Sequence, residues 1–212
     1  MNSPLIEEMS YLCTHNQIRQ TMKKEIYLAG GCFWGTEHYF KQIQGVISTE
    51  VGFANGHTDN PTYQEVYTDQ TGYAETVHIE YDEQVVGLEF LLNMFFKAID
   101  PMSLNRQGHD EGTRYRTGVY YVSDDQLPII NKVFAEQQAL YPQPIAVEKL
   151  PLRNFYTAEE YHQDYLDKNP DGYCHLPTAL FDFARQAKDT TKYITYIKTI
   201  DSAKTHKNTE KD

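Results

Sequence analysis

Lys24-Glu25-Ile26-Tyr27-Leu28-Ala29, running into Gly30-Gly31-Cys32-Phe33-Trp34-Gly35, is the stretch around which the chain is organised. The first six residues alternate as a strand does. Phe33, Glu37, Phe40 and Ile43 or Gln44 then recur along one side of a helix. Cys32 is therefore predicted at a strand-to-helix turn, between glycines that let the backbone bend tightly. A thiol at a helix N-terminus faces unpaired N–H groups and the positive end of the helix dipole, which favour the thiolate. Phe33 and the chain's only tryptophan stand beside it. Read alone, the pattern fits a reactive nucleophile and fits equally a small cysteine buried in a turn.

A chain of 212 residues is long enough for one domain with a sizeable core. The formal net charge of −11 argues against a nucleic-acid surface, which needs clustered Lys and Arg. Seventeen tyrosines mean many buried phenols in need of hydrogen-bond partners. The three cysteines, Cys13, Cys32 and Cys174, are too far apart for a Cys-x-x-Cys metal or redox motif and too few for a disulfide scaffold. No metal or cofactor is expected. The N-terminus lacks the basic start and apolar stretch of a secretory signal, and no run approaches a membrane span. The protein is expected to be a cytoplasmic monomer that keeps its thiols reduced unless chemistry oxidises them, and that binds neither membrane nor nucleic acid.

Residues 1–22 read as an appended helix. Ser3 can cap it, Pro4 suits its first position, and Leu5, Met9 and Leu12 form a stripe. Cys13 lies there without an assigned role. Residues 23–187 form the expected catalytic domain and 188–212 a polar tail. Within the domain, Gly45 to Ala54 is a second strand, and Asn55 to Pro61 has the composition of an exposed turn. Ala74 to Tyr81 alternates, with Glu75, Val77, Ile79 and Tyr81 on one face. Glu75 is thus an acid at the end of an apolar face, either reaching solvent or desolvated with a raised pKa.

Leu88, Leu91, Leu92, Phe95 and Ile99 make an amphipathic helix that ends before Pro101. Leu104 to Tyr115 is a long polar loop of the kind that often carries function. Thr117 to Val122 is a strand, followed by a helix capped by Asp124 or Asp125, and Ile145 to Leu150 is one more strand. Thr157 and Glu160 have capping-box spacing for a helix through Leu166. Asn169-Pro170-Asp171-Gly172 then turns the chain and places Cys174 on a mobile segment. Two successive β-α-β patterns with further helices imply an α+β fold, a two-layer sandwich with a mixed ferredoxin-like sheet.

Gly-Cys-Phe-Trp-Gly, Asn60-Pro61-Thr62-Tyr63, Thr71-Gly72-Tyr73-Ala74-Glu75, Asn105 through Arg116, Tyr161 through Leu166, and Lys168 through Cys174 occur in this order. Together they resemble the A-type peptide methionine sulfoxide reductases from about Lys23 to Cys174. Tyr73 departs from the family's usual His, and Phe53 from its more frequent Tyr. The resemblance implies the same core fold and the reduction of methionine S-sulfoxide, free or in proteins, as repair of oxidative damage.

It further implies that Cys32 attacks sulfur and Glu75 is the general acid, with Tyr63 and Tyr115 donating to the oxygen. Phe33 and Trp34 would box the methyl thioether, and Asp110 would organise the site. Cys32 would become a sulfenic acid, condense with Cys174, and be recycled by thioredoxin. Two other readings compete. One is a cysteine hydrolase with His109 or His162 as base, and the other is a non-catalytic methionine-binding module.

Overall fold

The computed structural model describes residues 22–192. The expected N-terminal helix, with Cys13, falls on residues 1–21, outside the described residues, as do residues 193–212 of the expected tail. Strand β1 spans Lys23–Gly30, and helix α1, Phe33–Lys41, begins immediately after Cys32. Then come β2 (Val46–Ala54), the short α2 (Tyr63–Tyr67), β3 (Ala74–Asp82) and α3 (Leu88–Ala98).

The stretch read as a polar loop holds a small hairpin, β4 (Arg106–Gln107) and β5 (Asp110–Glu111), and a 3-10 turn, Thr113–Tyr115. β6 (Thr117–Tyr121), α4 (Leu127–Gln138), β7 (Glu148–Pro151), β8 (Phe155–Thr157), α5 (Tyr165–Lys168) and α6 (Thr178–Gln186) complete the order. Among the described residues, no helix is long and apolar enough to cross a membrane.

Six strands form one sheet in the order β7-β6-β1-β3-β2-β8. Its neighbours are antiparallel except for the parallel β6–β7 pair. Register follows the apolar alternation. Ile26 pairs with Ile79 and Leu28 with Val77, and Val77 also faces Val51 on the other side. These residues, with Phe53 and Val119, bury one face under Tyr39 and Phe40 of α1 and Leu91, Leu92 and Phe95 of α3. A one-residue slip would turn this apolar set to the other face, so the pairing is strongly specified. The opposite face carries a smaller cluster of Tyr27, Ala29, Ala54, Ala74 and Tyr120, covered by Leu152 and Phe155. The fold is α+β with a mixed six-stranded sheet.

Three local expectations are corrected. Thr157 does not cap a helix: it ends β8, and its hydroxyl donates to Glu50 across the sheet at 3.0 Å. The helix beyond it is confined to α5, because Asp164 adopts φ 54° and breaks the helical path. Neither Asp124 nor Asp125 caps α4; both lie in a 3-10 turn that leads into it, and the Asp125 carboxylate is held by Ser123. The Asn55–Pro61 stretch is pinned at its start, where Asn55 is buried and bonded to the Pro151 carbonyl and the Arg153 N–H. Tyr73, the departure from the family's His, is also buried and donates its hydroxyl to the Thr58 carbonyl.

Candidate active site

Cys32 sits at the junction of β1 and α1 with extended backbone, φ −56° and ψ 124°. The Gly31 before it has φ +85°, and a Cβ there would lie 2.6 Å from Gln107 Cβ, so only glycine fits. Gln107 is itself fixed, with its amide accepting from Asp100 N–H at 2.8 Å and donating to Asp100 O at 2.9 Å. Gly35 is needed for a different reason. A Cβ there would be 2.9 Å from Cys174 Sγ and 3.0 Å from His175 Nδ1. The final glycine of the motif is therefore a docking point for the C-terminal segment. Thr36 Oγ1 closes the turn by donating to Cys32 O at 3.1 Å.

The alternation in β3 carries Glu75 inward, where it is 1 % exposed. Its carboxyl accepts the Phe33 N–H at 3.0 Å, one of the orphan donors at the start of α1. Burial raises its pKa to about 8; the Phe33 N–H and the Arg114 charge pull the other way without winning. Of the two readings left open for this residue, the structure selects the desolvated one. Cys32 is also buried, and its thiol is pushed well above the usual range, first by burial and then by the Glu75 charge. The Trp34 and Gly35 N–H groups favour the thiolate, as a helix N-terminus should, but burial outweighs them. The resting group is a thiol, contrary to the expectation from the helix end alone.

Tyr63 and Tyr115 arrive from opposite sides. Tyr63 opens α2, which is capped reciprocally: Thr62 Oγ1 accepts the Glu65 N–H, and the Glu65 carboxylate accepts the Thr62 N–H. Tyr115 ends the 3-10 turn and is set by Arg114, whose guanidinium lies 4.2 Å from the Tyr67 ring and 4.4 Å from the Tyr115 ring. Arg114 pairs in turn with Asp69 at 2.7 Å. Burial and then the Glu75 charge raise both phenols, Tyr63 and Tyr115, which keeps them protonated as donors.

Phe33 is fully buried against Phe53, Tyr63 and His162, and Trp34, only partly buried, stacks on Tyr165 at 3.8 Å. His162 is no surface histidine. It is buried, and its Nδ1 accepts the Trp34 Nε1–H at 3.1 Å. Its ring also lies 4.4 Å from that of Tyr63, so one imidazole orients both Trp34 and Tyr63. The Tyr-His-Gln motif drew attention to it, but nothing local to the sequence signals that it is buried. His109 is exposed.

Asp110, on β5, accepts the Tyr173 hydroxyl at 2.9 Å on Oδ1, while Oδ2 is buried without a partner. Cys174 is half-buried, its Sγ accepting the Leu176 N–H at 3.4 Å, and it packs on α1 through Gly35. Both cysteines are free thiols. Donor atoms of Cys32, Asp110 and His175 all lie within 4.8 Å of one another. This composition could serve a metal ion. Here it reads as a proton-handling set, because the thiol is kept protonated and the partner groups carry unused lone pairs. The sequence reading passed over His175, whose one visible signal is that it follows Cys174.

Comparison with known proteins bears on the whole arrangement. The family model described as "Peptide methionine sulfoxide reductase" matches residues 24–194. "Peptide methionine sulfoxide reductase MsrA" of Clostridium acetobutylicum is 58% identical over 157 residues, covering 74% of this chain and 97% of that one. The protein of the same name from Lachnoclostridium phytofermentans is 54% identical over 166 residues, covering 78% and 100%. Among solved structures, reduced Mxr1 of Saccharomyces cerevisiae aligns with TM-score 0.69 at 42% identity, covering 74% of this chain and 90% of that one. Methionine sulfoxide reductase A of Corynebacterium diphtheriae aligns with TM-score 0.66 at 38% identity, covering 74% and 79%. The signature around Cys32, the length of the match and the shared fold agree: this chain belongs to the A-type peptide methionine sulfoxide reductase family.

Proposed function

We propose that the chain reduces the S-epimer of methionine sulfoxide, free or within proteins, to methionine, with thioredoxin as the final reductant. One observation carries the reading: a buried carboxyl with a pKa near 8, Glu75, is tied at 3.0 Å to the backbone of the residue after a buried thiol, Cys32. A protonated acid and a protonated thiol sharing a dry site suit the removal of oxygen from a neutral sulfoxide. Glu75 donates to the oxygen, and Tyr63 and Tyr115 donate hydrogen bonds as charge gathers there. Cys32 sulfur loses two electrons, the sulfoxide sulfur gains them, and the oxygen ends on Cys32 as a sulfenic acid. Cys174 then attacks that sulfur, forming the Cys32–Cys174 disulfide and releasing water. Asp110 holds Tyr173 beside this thiol. Thioredoxin reopens the disulfide by thiol exchange, and the exposed side chain of Tyr173 keeps this segment at the surface.

Neither histidine expected to serve the hydrolase alternative is placed for that task, and the thiol count below separates the two readings. His109 is exposed, and His162 Nδ1 already accepts from Trp34. Incubating reduced protein with methionine sulfoxide in the absence of reductant is expected to consume the Cys32 and Cys174 thiols and release methionine, leaving Cys13 free. Unchanged thiols would overturn the reductase reading.

Phe33 and Trp34 are the methyl-recognising walls in this reading. Trp34→Ala removes the ring that stacks on Tyr165 and opens the box. A methylene in a fitted apolar pocket is worth roughly 10–200-fold in discrimination. The preference for methyl over ethyl sulfoxides is therefore expected to shrink by about tenfold, read from kcat/KM for the two substrates. An equal fall for both would reduce the ring to ordinary packing.

We read residues 23–187 as the reductase domain, 1–22 as a helical extension and 188–212 as a polar tail; the family match supports the first boundary by beginning at residue 24, and runs on to residue 194 beyond the second. The finer architecture is read as ferredoxin-like. In support, β1-α1-β2 and β3-α3-β6 form two β-α-β units whose strands lie in the order β6-β1-β3-β2, all antiparallel.

A further inference from the structure

We propose that His175 is the base that takes the thiol proton from Cys32 as the sulfoxide is attacked, with Asp110 holding the resulting imidazolium. The inference rests on the reductase reading and supplies what that reading lacks. Glu75 has to begin protonated in order to protonate oxygen, and Cys32 also begins protonated. The Tyr63 and Tyr115 phenols are donors as well. A site that holds acids and a thiol needs an acceptor for the thiol proton.

His175 is near enough for that task, after a small shift or through one bridging water. Its Nε2 lies 3.2 Å from the Gly30 carbonyl, which can only accept, so Nε2 carries the hydrogen and Nδ1 carries the lone pair. Nδ1 is buried and has no hydrogen-bond partner. A donor atom of the ring lies within 4.8 Å of both Cys32 Sγ and an Asp110 oxygen, and Asp110 Oδ2 is likewise unpartnered. Three glycines make the slot. A Cβ would stand 3.0 Å from Nδ1 at Gly35, 3.4 Å from Nε2 at Gly31, and 3.6 Å from His175 Cβ at Gly108.

The groups facing the imidazole are Cys32 from the start of α1 and Asp110 from β5, with Cys174 and Tyr173 on its own segment; the Glu75 charge of β3 acts on Cys32. Burial lowers its pKa more than Asp110 raises it, so the ring is neutral and able to accept at pH 7.

The step balances. The Cys32 proton moves to His175 Nδ1 as the thiolate attacks, and Glu75 gives its proton to the sulfoxide oxygen. That oxygen, with its proton, finishes on Cys32, and the proton held by His175 returns to the Glu75 carboxylate. The net change is the transfer of one oxygen atom and two electrons.

Methionine formed in the first turnover, measured by rapid quench across pH, tests the proposal. Formation by the unsubstituted protein reports on the reductase reading alone. His175→Gln is expected to slow this turnover on the order of 10²-fold. It should also remove the acidic limb of the rate profile, where protonation of the imidazole shuts the reaction down. His175→Gly should recover when imidazole is added, with saturation. An unchanged rate would overturn the proposal, and so would a slow variant that keeps the parental pH profile and ignores imidazole, the pattern of a structural role. Nitrogen-15 spectra of the unsubstituted reduced protein give a test independent of any variant. The Nε2–H tautomer is expected for His175, and an Nδ1–H tautomer would overturn the assignment.

Discussion

Cys32→Ser is expected to lose methionine formation altogether, and Cys174→Ser to keep the first turnover while losing the cycle. Serine can neither attack the sulfoxide sulfur with comparable nucleophilicity nor accept oxygen on a sulfur atom. The loss should be of the size seen when a covalent nucleophile is removed, roughly 10⁴–10⁶-fold. Cys174 acts later. In the reduced protein it is an uncombined thiol resting on Gly35 of α1 and held by the Leu176 N–H.

Its replacement leaves the acid, the phenols and the aromatic walls in place, so one equivalent of methionine should form at close to the parental rate. The protein then stops with Cys32 as a sulfenic acid, which a dimedone-type reagent traps and mass spectrometry reads as an adduct on Cys32. Dithiothreitol, small enough to enter and reduce that acid directly, should restore turnover, whereas thioredoxin should do so poorly. Cys13→Ser should change neither phase. Normal thioredoxin-dependent cycling by Cys174→Ser would move the resolving role to Cys13 or to direct reduction.

The parts of this site legible in the sequence are those written in local periodicity. The alternation of β1, the glycine pair and the helical spacing after Cys32 place that residue at the turn where the structure has it, and the period of two in β3 puts Glu75 on the buried face. What local pattern could not decide was the protonation of either group. A helix N-terminus stabilises an anion by about 0.3–1 kcal/mol, rising to ~2 in buried geometries. Full burial can move a pKa by up to about 3–5 units, at 1.36 kcal/mol each. The larger effect wins at Cys32, and its source is the packing of distant elements.

The burial of His162, and His175 altogether, escaped local pattern for the same reason. Each takes its place only when a segment near the C-terminus folds back on the β1–α1 turn, 128 residues from Trp34 in one case and 145 from Gly30 in the other. The capping-box spacing at Thr157 and Glu160 failed because sheet pairing with β2 claimed Thr157 first. Tyr63 shows the opposite outcome. Its motif singles out a residue that does lie against Phe33, and the Thr62–Glu65 capping box that presents it was there to be read.

Glu75→Gln is expected to slow the first turnover by about 10²–10⁴-fold, the range for loss of a positioned acid, and to abolish its alkaline limb. The amide can still accept the Phe33 N–H, so the start of α1 keeps its partner while the transferable proton is gone. In the parental protein the acid form predominates below about pH 8, and the rate should fall as pH rises through that value. The variant should show no such fall from this group.

Stability gives a second, independent signature. The folded-state pKa lies above the ordinary value of 4.5, so below pH 4.5 the carboxyl is protonated whether the chain is folded or not. Between 4.5 and about 8, unfolding releases its proton, and stability declines as pH rises by up to roughly 1.4 kcal/mol per unit. Above about pH 8 both states are ionised and the loss is complete. Glu37, raised to about 7 mainly by burial, adds a slope of the same sign, which cancels when the parental protein and the variant are compared. Denaturant titrations at pH 5 and pH 8 should therefore show Glu75→Gln gaining stability relative to the parent as pH rises. A variant with the parental alkaline limb and a pH-independent stability difference would mean that Glu75 is ionised at neutral pH, and the general acid would have to be sought elsewhere in the site.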